Sequence, residues 1–503
     1  KALITPITRA EILYGIGRLP RGRRREALEA KAHRVLARTR CISVPEFAGD
    51  RYSEVKLARE REGRAMADND LWIAATALAL GAILVTRDGD FAQIDGLQTE
   101  NWGRSAGDRE DRTPGADRHC VDQSWSLWRE AQTLIGAGTG TLSKRATLEG
   151  DEPAYIVRGK GCRIWDLDGN EYIDYRNSLG PITLGYCYPA VDDAIRAQLE
   201  QGIIFGHPHP LEVELARELV EIIPCAEKVR FLKTGGEAMA ACIRLARAFA
   251  RRPRIVTCGY HGWLSRAGTI EHGLPEAIGA LQTGLAYGDI QSFARYLEEH
   301  AGETAAVCVA AAYDQIGPDD DFLPKLRALT QEHDVLLIYD EIVTGFRVRI
   351  GGMQEYTGAV PDLATFAKGL ANGMPLSCYC GRAEIMDVCA QAGISSTYSG
   401  DTLSLAASLA TVREYRTKNV IEHLWARGQE FTDGMNELFA KHRLDCRAAG
   451  CPACPSIGVH AADPLARKVT QDDLWRAFYR NGVSLYNVSY VNFSHSAADI
   501  AET

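Results

Sequence analysis

Five consecutive apolar residues, VLLIY at 335–339, run directly into two acids, Asp340 and Glu341. An apolar run of this length without polar alternation is typical of a strand that is buried on both faces in a parallel sheet. Burying a carboxylate costs free energy unless a cation or a hydrogen-bond donor meets it. The run therefore predicts a buried parallel strand with a charged or hydrogen-bonding partner at its carboxyl end.

The sequence around this run alternates short apolar stretches with amphipathic ones. The predicted strands are KVRFL (228–232), RIVTC (254–258), AAVCVA (305–310), VLLIY (335–339) and LSCYC (376–380). The predicted helix 211–223 has an apolar face that carries Leu211, Leu215, Leu219 and Ile222. This alternation predicts an α/β fold with a mostly parallel central sheet, and in such sheets ligands bind at the carboxyl ends of the strands.

The composition narrows the classes of function. The chain has 503 residues and a net charge of −9, which argues against nucleic-acid binding by the whole chain. Its 14 cysteines have no regular spacing, so we expect the reduced thiols of a cytoplasmic protein rather than a disulfide framework. The longest apolar run, 71–85, is too short to span a bilayer and is interrupted by Gly81. It predicts a helix, a turn and a strand, and we expect no membrane partner.

A stretch rich in charged residues and glycine, 103–122, has the composition of a linker. It separates a small module, 1–102, from a larger region. Within the larger region we predict a large domain, 123–440, that includes an N-terminal substrate segment, and a small C-terminal domain, 441–503. Because the chain begins at Lys1 rather than at methionine, we expect its true start to lie upstream.

Three further features lie near predicted strand ends. Lys368 is the only cation in residues 361–375. The turn Thr234–Gly236 links a strand to a helix, and its backbone N–H groups form either a phosphate site or an ordinary turn. Tyr260 and His261 follow another predicted strand and either cap an aromatic ring or pack within a loop. Each feature alone has a purely structural explanation, but all of them are predicted at one edge of the sheet.

Together with Asp340, these features match the requirements of a phosphorylated pyridine cofactor. Such a cofactor needs a cradle for its phosphate, an aromatic lid for its ring, a carboxylate for its ring nitrogen and a lysine for its aldehyde. Pyridoxal 5′-phosphate meets all four requirements. The residues therefore predict a site for pyridoxal 5′-phosphate.

Six segments, in order and spread over nearly all of 123–503, resemble the class III, fold-type I aminotransferases. They are IWDLDGNEYIDY (164–175), KTGGEA (233–238), GYHGW (259–263), YDEIVTGFR (339–347), PDLATFAKGLANGMP (361–375) and STYSGDTLSLAA (396–407). Within that family they resemble the glutamate-1-semialdehyde 2,1-aminomutase-like proteins. The resemblance implies a fold-type I transferase that binds pyridoxal 5′-phosphate and acts on a small-molecule amino donor and acceptor.

The resemblance also implies a role for each residue. Lys368 would form a Schiff base with the cofactor and then move a proton, and Asp340 would hold the pyridine nitrogen protonated. Glu341 would support the site or the helix that follows. The remaining cofactor contacts would be Thr234, Gly235, Gly236, Tyr260, His261 and Thr397. Thr397 resembles a threonine that reaches the phosphate of the neighbouring subunit, which implies a homodimer with shared active sites.

The substrate end of the site is less specific. Lys144 and Arg145 close the segment GAGTGTLSKR (136–145), and they either clamp a substrate carboxylate or form a solvated basic pair. The resemblance implies an aminotransferase for a keto or amino compound such as a sugar or a semialdehyde. An intramolecular aminomutase of the glutamate-1-semialdehyde type is the alternative, since both reactions use the same lysine and ring.

Three departures from the family pattern predict lower efficiency rather than loss of the cofactor. The phosphate turn reads Thr-Gly-Gly at 234–236, where the family usually has Ser-Gly-Thr. Residues 310–315 read AAAYDQ, where many relatives have Glu-Pro. The sequence after residue 494 is shorter than the usual last helix of the family.

Cysteine and histidine residues near the C-terminus give only a weak indication of zinc. They comprise one CxxC pair and irregularly spaced partners, namely Cys446, Cys451, Cys454, His442 and His460. Zinc sites usually show two clean pairs.

The small module resembles a different family. Residues 7–25 and 70–91 resemble the PIN domain of toxin-type ribonucleases, which implies an Mg²⁺ or Mn²⁺ site and an RNA substrate. The implied ligands are Glu11, Asp70, Asp88 and Asp90. Alternatively, Thr8 and Glu11 form a helix capping box, and the aspartates cap helices.

The family's first aspartate would lie before residue 1, so we expect the metal site to be incomplete and the module to be inactive. The basic run RGRRR (21–25) would bind RNA only in an active version. A third possibility is that both modules are degenerate and that the chain is a scaffold.

Overall fold

The computed structural model of the chain describes residues 3–19, 22, 25, 28–29, 32–33, 36, 39–61, 66–86, 89–100, 119–264, 273–317 and 319–503. The chain divides into two compact units, Lys1–Ala116 and Asp117–Thr503. Most of the predicted linker lies outside the described residues. No described helix is both long enough and apolar enough to cross a membrane.

The first unit combines helices with two pairs of very short strands. Its described elements are β1 (Leu3–Ile4), α1 (Pro6–Gly17), β2 (Arg40–Cys41), α2 (Ala48–Arg61), α3 (Asp68–Leu80), β3 (Leu84–Val85) and β4 (Thr99–Glu100). Strand β1 pairs with β2 and β3 pairs with β4, and both pairs are parallel. A small core that includes Val55, Leu71 and Phe91 holds α2 and α3 together.

One local prediction in this unit is wrong and another is confirmed. Thr8 does not cap a helix, because α1 begins earlier, at Pro6, and the Thr5 hydroxyl accepts from the Thr8 backbone N–H instead. A proline at the first helical position leaves no N–H to satisfy, which favours this earlier start. The apolar run 71–85 does form a helix, a turn and a strand, and Gly81 ends α3 in a left-handed conformation with φ of 57°.

The second unit contains most of the chain. Its strands are β5 (Ile156–Lys160), β6 (Arg163–Asp166), β7 (Glu171–Asp174), β8 (Lys228–Leu232), β9 (Arg254–Cys258), β10 (Gln282–Gly284), β11 (Thr304–Val309), β12 (Leu336–Asp340), β13 (Leu363–Phe366), β14 (Ser377–Gly381), β15 (Cys446–Ala449), β16 (Ser456–Val459) and β17 (Val483–Ser484). Its α-helices are α4 (Asp122–Leu134), α5 (Pro189–Leu199), α6 (Pro210–Ile222), α7 (Gly235–Ala250), α8 (Glu276–Gly279), α9 (Ile290–His300), α10 (Phe322–Glu332), α11 (Met353–Thr357), α12 (Ala383–Met386), α13 (Thr402–Thr417), α14 (Val420–Lys441), α15 (Pro464–Arg480) and α16 (Ala497–Glu502).

The central sheet has seven strands in the order β10-β9-β11-β12-β13-β14-β8. Neighbouring strands from β10 to β13 are parallel, whereas β14 is antiparallel to both β13 and β8. Two reversals give β8 the same direction as β13. The predicted mostly parallel sheet is therefore confirmed, and the carboxyl ends of β8, β9, β12 and β13 share one edge.

Both faces of this sheet are buried. In β11, Val307 and Val309 face one apolar cluster while Ala306 and Cys308 face another, which includes residues of α7. Each fully buried side chain of the size of valine contributes roughly 1.5–3 kcal/mol relative to its exposure to water. Helices that cover both faces explain why the strands read as continuous apolar runs rather than alternating ones.

The strand boundaries differ slightly from the predicted ones. Strands β8 and β9 have the predicted bounds, whereas β11, β12 and β14 are displaced by one residue. Asp340 belongs to β12 because it pairs with Thr365 in the ladder with β13. Backbone hydrogen bonding, which continues past the last apolar residue, sets the strand end.

The C-terminal residues complete a second sheet. Its order is β17-β7-β6-β5, and β17 is parallel to β7. Strands β15 and β16 form an antiparallel hairpin, and the connection between them contains the CxxC pair.

Candidate active site

The common edge of the central sheet gathers the predicted cofactor residues. The turn Thr234–Gly236 follows β8, and Tyr260 and His261 follow β9. Asp340 ends β12, and Lys368 comes two residues after the last residue of β13. These predicted residues therefore lie at one edge of the sheet, because parallel strands end at the same edge.

Asp340 is held by a histidine. The Asp340 side chain is buried, and its Oδ2 lies 2.9 Å from Nδ1 of His261. Since an ionised carboxylate can only accept, the imidazole N–H is the donor. The other oxygen accepts from the backbone N–H of Ile342 at 3.1 Å. The sequence does not predict this pairing, because its pattern indicates either that His261 caps an aromatic ring or that it packs within a loop.

The remaining nitrogen of His261, Nε2, is buried and has no hydrogen-bond partner among the described residues. Burying an unsatisfied polar atom costs about 1–3 kcal/mol. Such a cost is typical of a functional site rather than of a site shaped for stability.

Lys368 lies in a turn with a sparsely populated backbone conformation. Its φ is 45°, in the left-handed region that residues with a side chain seldom adopt. Helix α13 fixes the turn, because the Tyr415 hydroxyl donates to the Gly369 carbonyl at 2.7 Å and the Ser408 hydroxyl donates to the Leu370 carbonyl at 2.9 Å. Strain held by surrounding contacts is common at active sites.

The Lys368 amine is largely buried and makes no hydrogen bond to another described residue. Burial lowers the pKa of Lys368 to about 8 against the opposing charge of Asp340, and the smaller effect of the Arg347 positive charge acts in the same direction as burial. A lysine with a pKa near neutrality has a substantial neutral fraction, which both a nucleophile and a general base require.

Arg347 is a second charged residue in this region, and it was not anticipated from the sequence. Its side chain is 1% exposed, and no described carboxylate lies within ion-pair distance of it. Its N–H groups donate to the carbonyls of Gly180, Ala453 and Val491 and to the Thr183 hydroxyl. The only signal in the sequence is its position in the segment TGFR, shortly after the two acids at the strand end.

The phosphate turn opens α7 with a complete capping box. The Thr234 hydroxyl accepts from the Glu237 backbone N–H at 3.3 Å, and the Glu237 carboxylate accepts from the Thr234 backbone N–H at 2.8 Å. Gly235 and Gly236 therefore lie in the first turn of a 16-residue helix, at the positive end of its dipole. The neighbouring loop approaches this helix start closely, since a Cβ on Gly262 would lie 2.9 Å from the Gly236 Cα.

Glu341, the residue after Asp340, supports a helix. It is buried and accepts from the backbone N–H groups of Met353 and Gln354, at 2.9 and 3.1 Å, at the start of α11. The Thr344 hydroxyl also donates to it. Burial raises the pKa of Glu341 to about 7. This arrangement matches the supporting role that was expected of Glu341.

The other predicted residues of this unit are exposed. The Tyr260 side chain is 69% exposed, although its neighbour His261 is buried. Thr397 is also exposed. Lys144 and Arg145 are exposed, and Lys144 Nζ donates to the Ser178 hydroxyl at 3.3 Å. Ser178 lies two residues before Gly180, at which a Cβ would come within 3.5 Å of Lys368 Cδ. The basic segment therefore borders the loop that contacts the lysine.

The residues present fit pyridoxal 5′-phosphate. Lys368 offers a largely buried amine without a hydrogen-bond partner among the described residues, and Asp340 offers a buried carboxylate that is oriented by His261. The amino end of α7 offers backbone N–H groups to a phosphate. These are the groups that the aldehyde, the ring nitrogen and the phosphate of this cofactor need.

The predicted metal ligands of the first unit are only partly described. Asp88 and residues 21, 23 and 24 of the basic run lie outside the described residues. The Asn69 side chain donates to the Glu11 carboxylate, so the first turn of α3, which contains Asp70, meets α1. Asp90 lies in the short 3₁₀ helix Gly89–Gln93. In neither unit do three described His, Cys, Asp or Glu side chains come together as a metal site would require.

Comparisons with known proteins agree with this geometry. Residues 146–489 match the family model for class III aminotransferases, and residues 1–97 match the model for the PIN domain. The glutamate-1-semialdehyde 2,1-aminomutase of Archaeoglobus fulgidus is 34% identical over 416 residues, which cover 76% of this chain and 98% of that protein. The aminomutase of Acetivibrio thermocellus is 33% identical, with 76% and 96% covered.

A solved structure shows the same fold. The FumI protein of Sphingopyxis sp. MTA144, in a form that carries pyridoxal 5′-phosphate, superposes with a TM-score of 0.71 at 26% identity, covering 76% of this chain and 94% of that chain. The family match spans more than half of the chain, and the aminomutases match it over almost their full length. The chain therefore belongs to the class III aminotransferases, an enzyme family whose members use pyridoxal 5′-phosphate.

Proposed function

We propose that the second unit transfers an amino group between a small amino compound and a small keto compound, with pyridoxal 5′-phosphate bound at the sheet edge. One observation carries this proposal: the largely buried amine of Lys368, which has no hydrogen-bond partner among the described residues, lies near the buried carboxylate of Asp340. Bound pyridoxal 5′-phosphate supplies an aldehyde that receives the amino group and a ring that withdraws electrons.

Each residue then has a defined task. Lys368 takes a proton from the substrate carbon and returns it from Nζ, which its lowered pKa favours. Asp340, held by His261, provides the negative charge that keeps a ring nitrogen protonated. The backbone N–H groups at the start of α7 hold the phosphate, because the Thr234 hydroxyl is already engaged in the capping box.

The substrate carries a carboxylate in this proposal. Lys144 donates to the Ser178 hydroxyl in the loop beside Lys368, and Arg145 follows it in the chain. Arg176 fixes their segment by donating to the Ser143 carbonyl at 3.2 Å. An internal shift of the amino group, as the names of the aminomutase relatives state for those proteins, is the alternative reaction.

The first experiment is a visible absorption spectrum of the purified chain after addition of pyridoxal 5′-phosphate. We expect a band in the native protein that is absent from Lys368→Ala. The matched control is Lys325→Ala, since Lys325 is exposed and forms only a helical ion pair with Asp321. A native protein that takes up no cofactor would overturn the proposal.

The second step separates transfer from internal shift. Carboxylate-bearing amines are added one at a time to the cofactor-loaded enzyme without an acceptor. In a transfer reaction the spectrum converts to the amine form of the cofactor and a keto product leaves. A mutase instead converts a semialdehyde amine into its isomer and releases no keto product. That result would support the internal shift of the amino group.

We further propose a homodimer with shared active sites. The described residues expose several large apolar side chains in loops of the second unit: Ile203 46%, Ile204 37%, Phe205 49%, Trp263 82% and Tyr398 62%. Exposed apolar side chains of this size are typical of interfaces between subunits. Thr397, next to Tyr398, supplies the phosphate contact of the other subunit in this proposal.

A second candidate function, metal-dependent RNA cleavage, belongs to the first unit. It is favoured by the PIN domain match over residues 1–97 and by the meeting of α1 and α3 near Glu11 and Asp70. The expected result is cleavage of RNA that requires Mg²⁺ or Mn²⁺ and is lost in Asp70→Asn but retained in Asp50→Asn, whose carboxylate lies on α2. If the native chain cleaves no RNA in the presence of Mg²⁺ or Mn²⁺, this second candidate function is ruled out.

A further inference from the structure

Two cysteines lie in one tight turn beside the candidate active site. Cys451 and Cys454 belong to the sequence CPAC in the connection between β15 and β16, and both side chains are fully buried. The Cys454 backbone N–H donates to the Cys451 carbonyl at 2.9 Å. Such a turn keeps its end Cα atoms within about 7 Å, and a disulfide spans Cα separations of about 4.4–6.8 Å. The backbone is therefore already close to the geometry of a disulfide.

The two thiols also interact with each other, and the interaction makes them unequal. Their hydrogen bond lowers the pKa of Cys451, and the positive charge of Arg347 lowers it as well. The same hydrogen bond, together with burial, raises the pKa of Cys454. Cys451 therefore has the greater thiolate character, and Cys454 is the neighbouring thiol that retains its proton.

Arg347 connects this turn to Lys368. Its Nη1 donates to the carbonyl of Ala453, between the two cysteines, at 3.1 Å. Its Nη2 donates to the carbonyl of Gly180 at 2.9 Å, and a Cβ on Gly180 would lie 3.5 Å from Lys368 Cδ. A change in the turn would therefore move a carbonyl that positions the buried charge next to the lysine.

We propose that Cys451 and Cys454 form a dithiol that hydroperoxides oxidise to a disulfide, and that this oxidation reversibly inactivates the amino-group reaction. The inactivation part rests on the proposed function, whereas disulfide formation does not. A small, neutral oxidant is the fitting class because both thiols are shielded from bulk solvent.

The chemistry balances in two steps. The Cys451 thiolate attacks the terminal oxygen of the hydroperoxide and becomes a sulfenic acid. The O–O bond breaks, and hydroxide leaves from hydrogen peroxide or alkoxide from an organic hydroperoxide. The Cys454 sulfur then attacks the Cys451 sulfur, the S–O bond breaks, and water leaves as the disulfide forms. The two thiols lose two electrons and two protons, and the peroxide is reduced. A dithiol reductant reverses the change.

The test uses the full chain loaded with pyridoxal 5′-phosphate and hydrogen peroxide as the probe. After exposure, the protein is denatured, alkylated and digested, and the peptide that contains 451–454 is weighed. We expect that peptide to lack alkylation and to be about 2 Da lighter than the calculated mass of the same peptide with two free thiols. Treatment with dithiothreitol before alkylation should restore both alkylation sites. Cys446→Ser is the matched control, because Cys446 is only partly buried and outside the turn, and it should leave this result unchanged.

Activity is measured on the same samples. We expect a loss of at least about tenfold in the oxidised native protein and in Cys446→Ser, reversed by dithiothreitol, since small displacements near reacting groups cost large factors in rate. Cys451→Ser and Cys454→Ser should form no disulfide and show no such reversible loss. A 451–454 peptide that stays fully alkylatable, or a disulfide with unchanged activity, would overturn the proposal. A disulfide in a chain that binds no cofactor would instead contradict the proposed function.

Discussion

Charge placement around Lys368 is the central feature at the scale of single residues. The pKa of Lys368 is lowered to about 8, mainly by burial; Asp340 opposes this shift, and Arg347 contributes to it. The two charged neighbours are themselves fixed, Asp340 by His261 and Arg347 by backbone carbonyls. The amine therefore lies between a fixed anion and a fixed cation, and its pKa depends on the identity of both.

We predict that Arg347→Met raises the pKa of Lys368. Removing the buried positive charge favours the protonated amine, so the neutral fraction near pH 8 decreases. The pH at which uptake of pyridoxal 5′-phosphate is half-maximal should move upward by roughly one unit. It is measured by the visible band in a series of buffers.

Arg347→Lys serves as the control for this prediction. It keeps the charge but loses several hydrogen bonds, so it should lower stability and leave the pH midpoint almost unchanged. Equal midpoints in the native protein and in Arg347→Met would show that Arg347 has no electrostatic role.

At the scale of elements, Asp340 and the next residue, Glu341, have different roles at the end of β12. Asp340 faces the site, whereas Glu341 accepts from the first backbone N–H groups of α11. A Cβ on Gly352 would lie 2.5 Å from Glu341 Cδ, so only glycine allows the carboxylate to approach this helix start. Burial raises the pKa of Glu341 to about 7, and the carboxyl group is protonated more readily in the folded state than in the unfolded chain.

This raised pKa predicts a pH dependence of stability. Between the ordinary pKa of a glutamate and about pH 7 the folded state holds a proton that the unfolded state has lost, so the free energy of unfolding decreases as pH rises. The contribution is fully present below the unfolded-state pKa and declines by up to about 3 kcal/mol by pH 8. Urea unfolding of Glu341→Gln should show a smaller fall across this range than the native protein.

Glu437→Gln is the matched control, since Glu437 is exposed on α14. It should reproduce the native pH dependence. If Glu341→Gln shows the same slope as the control, the buried carboxyl group does not titrate as described.

At the scale of the whole molecule, the proposed dimer makes each active site depend on two chains. Lys368 of one chain and Thr397 of the other would serve the same cofactor. Thr397 is exposed, and Tyr398 beside it is 62% exposed, which leaves both available to a second copy. Dimers with twofold symmetry are the most common oligomers, and in them each contact between the two chains occurs twice.

We predict that two inactive variants complement each other. Lys368→Ala and Thr397→Ala should each be nearly inactive alone. After they are mixed and reassembled, about half of the dimers are hybrids, and each hybrid has one site with both residues intact. Activity should therefore recover to about a quarter of the native value. No recovery on mixing, or a fully active Thr397→Ala, would contradict shared sites.

Much of the fold and part of the site were predictable from the sequence. Five of the seven strands of the central sheet are predicted to within one residue, because runs such as RIVTC and VLLIY favour a sheet that is covered on both faces. Strands β10 and β13, of three and four residues, are not predicted because they are too short to give a clear apolar run. The positions of Lys368, Asp340 and the glycine turn at the carboxyl edge of the sheet could be predicted, because a strand-end acid and two glycines at a helix start are local patterns. The helix cap at Thr5 was missed because Thr8 and Glu11 fit a competing pattern.

The sequence by itself determined which residue types stand at the ends of the strands, and with them the family and the kind of cofactor that fits. Only the tertiary structure decided which residues meet across distant segments: His261 with Asp340, and Arg347 with the turn at 451–454. The physical reason is that strand and turn preferences are local properties of the chain. The partner of a buried charge, by contrast, depends on how segments up to about a hundred residues apart pack together.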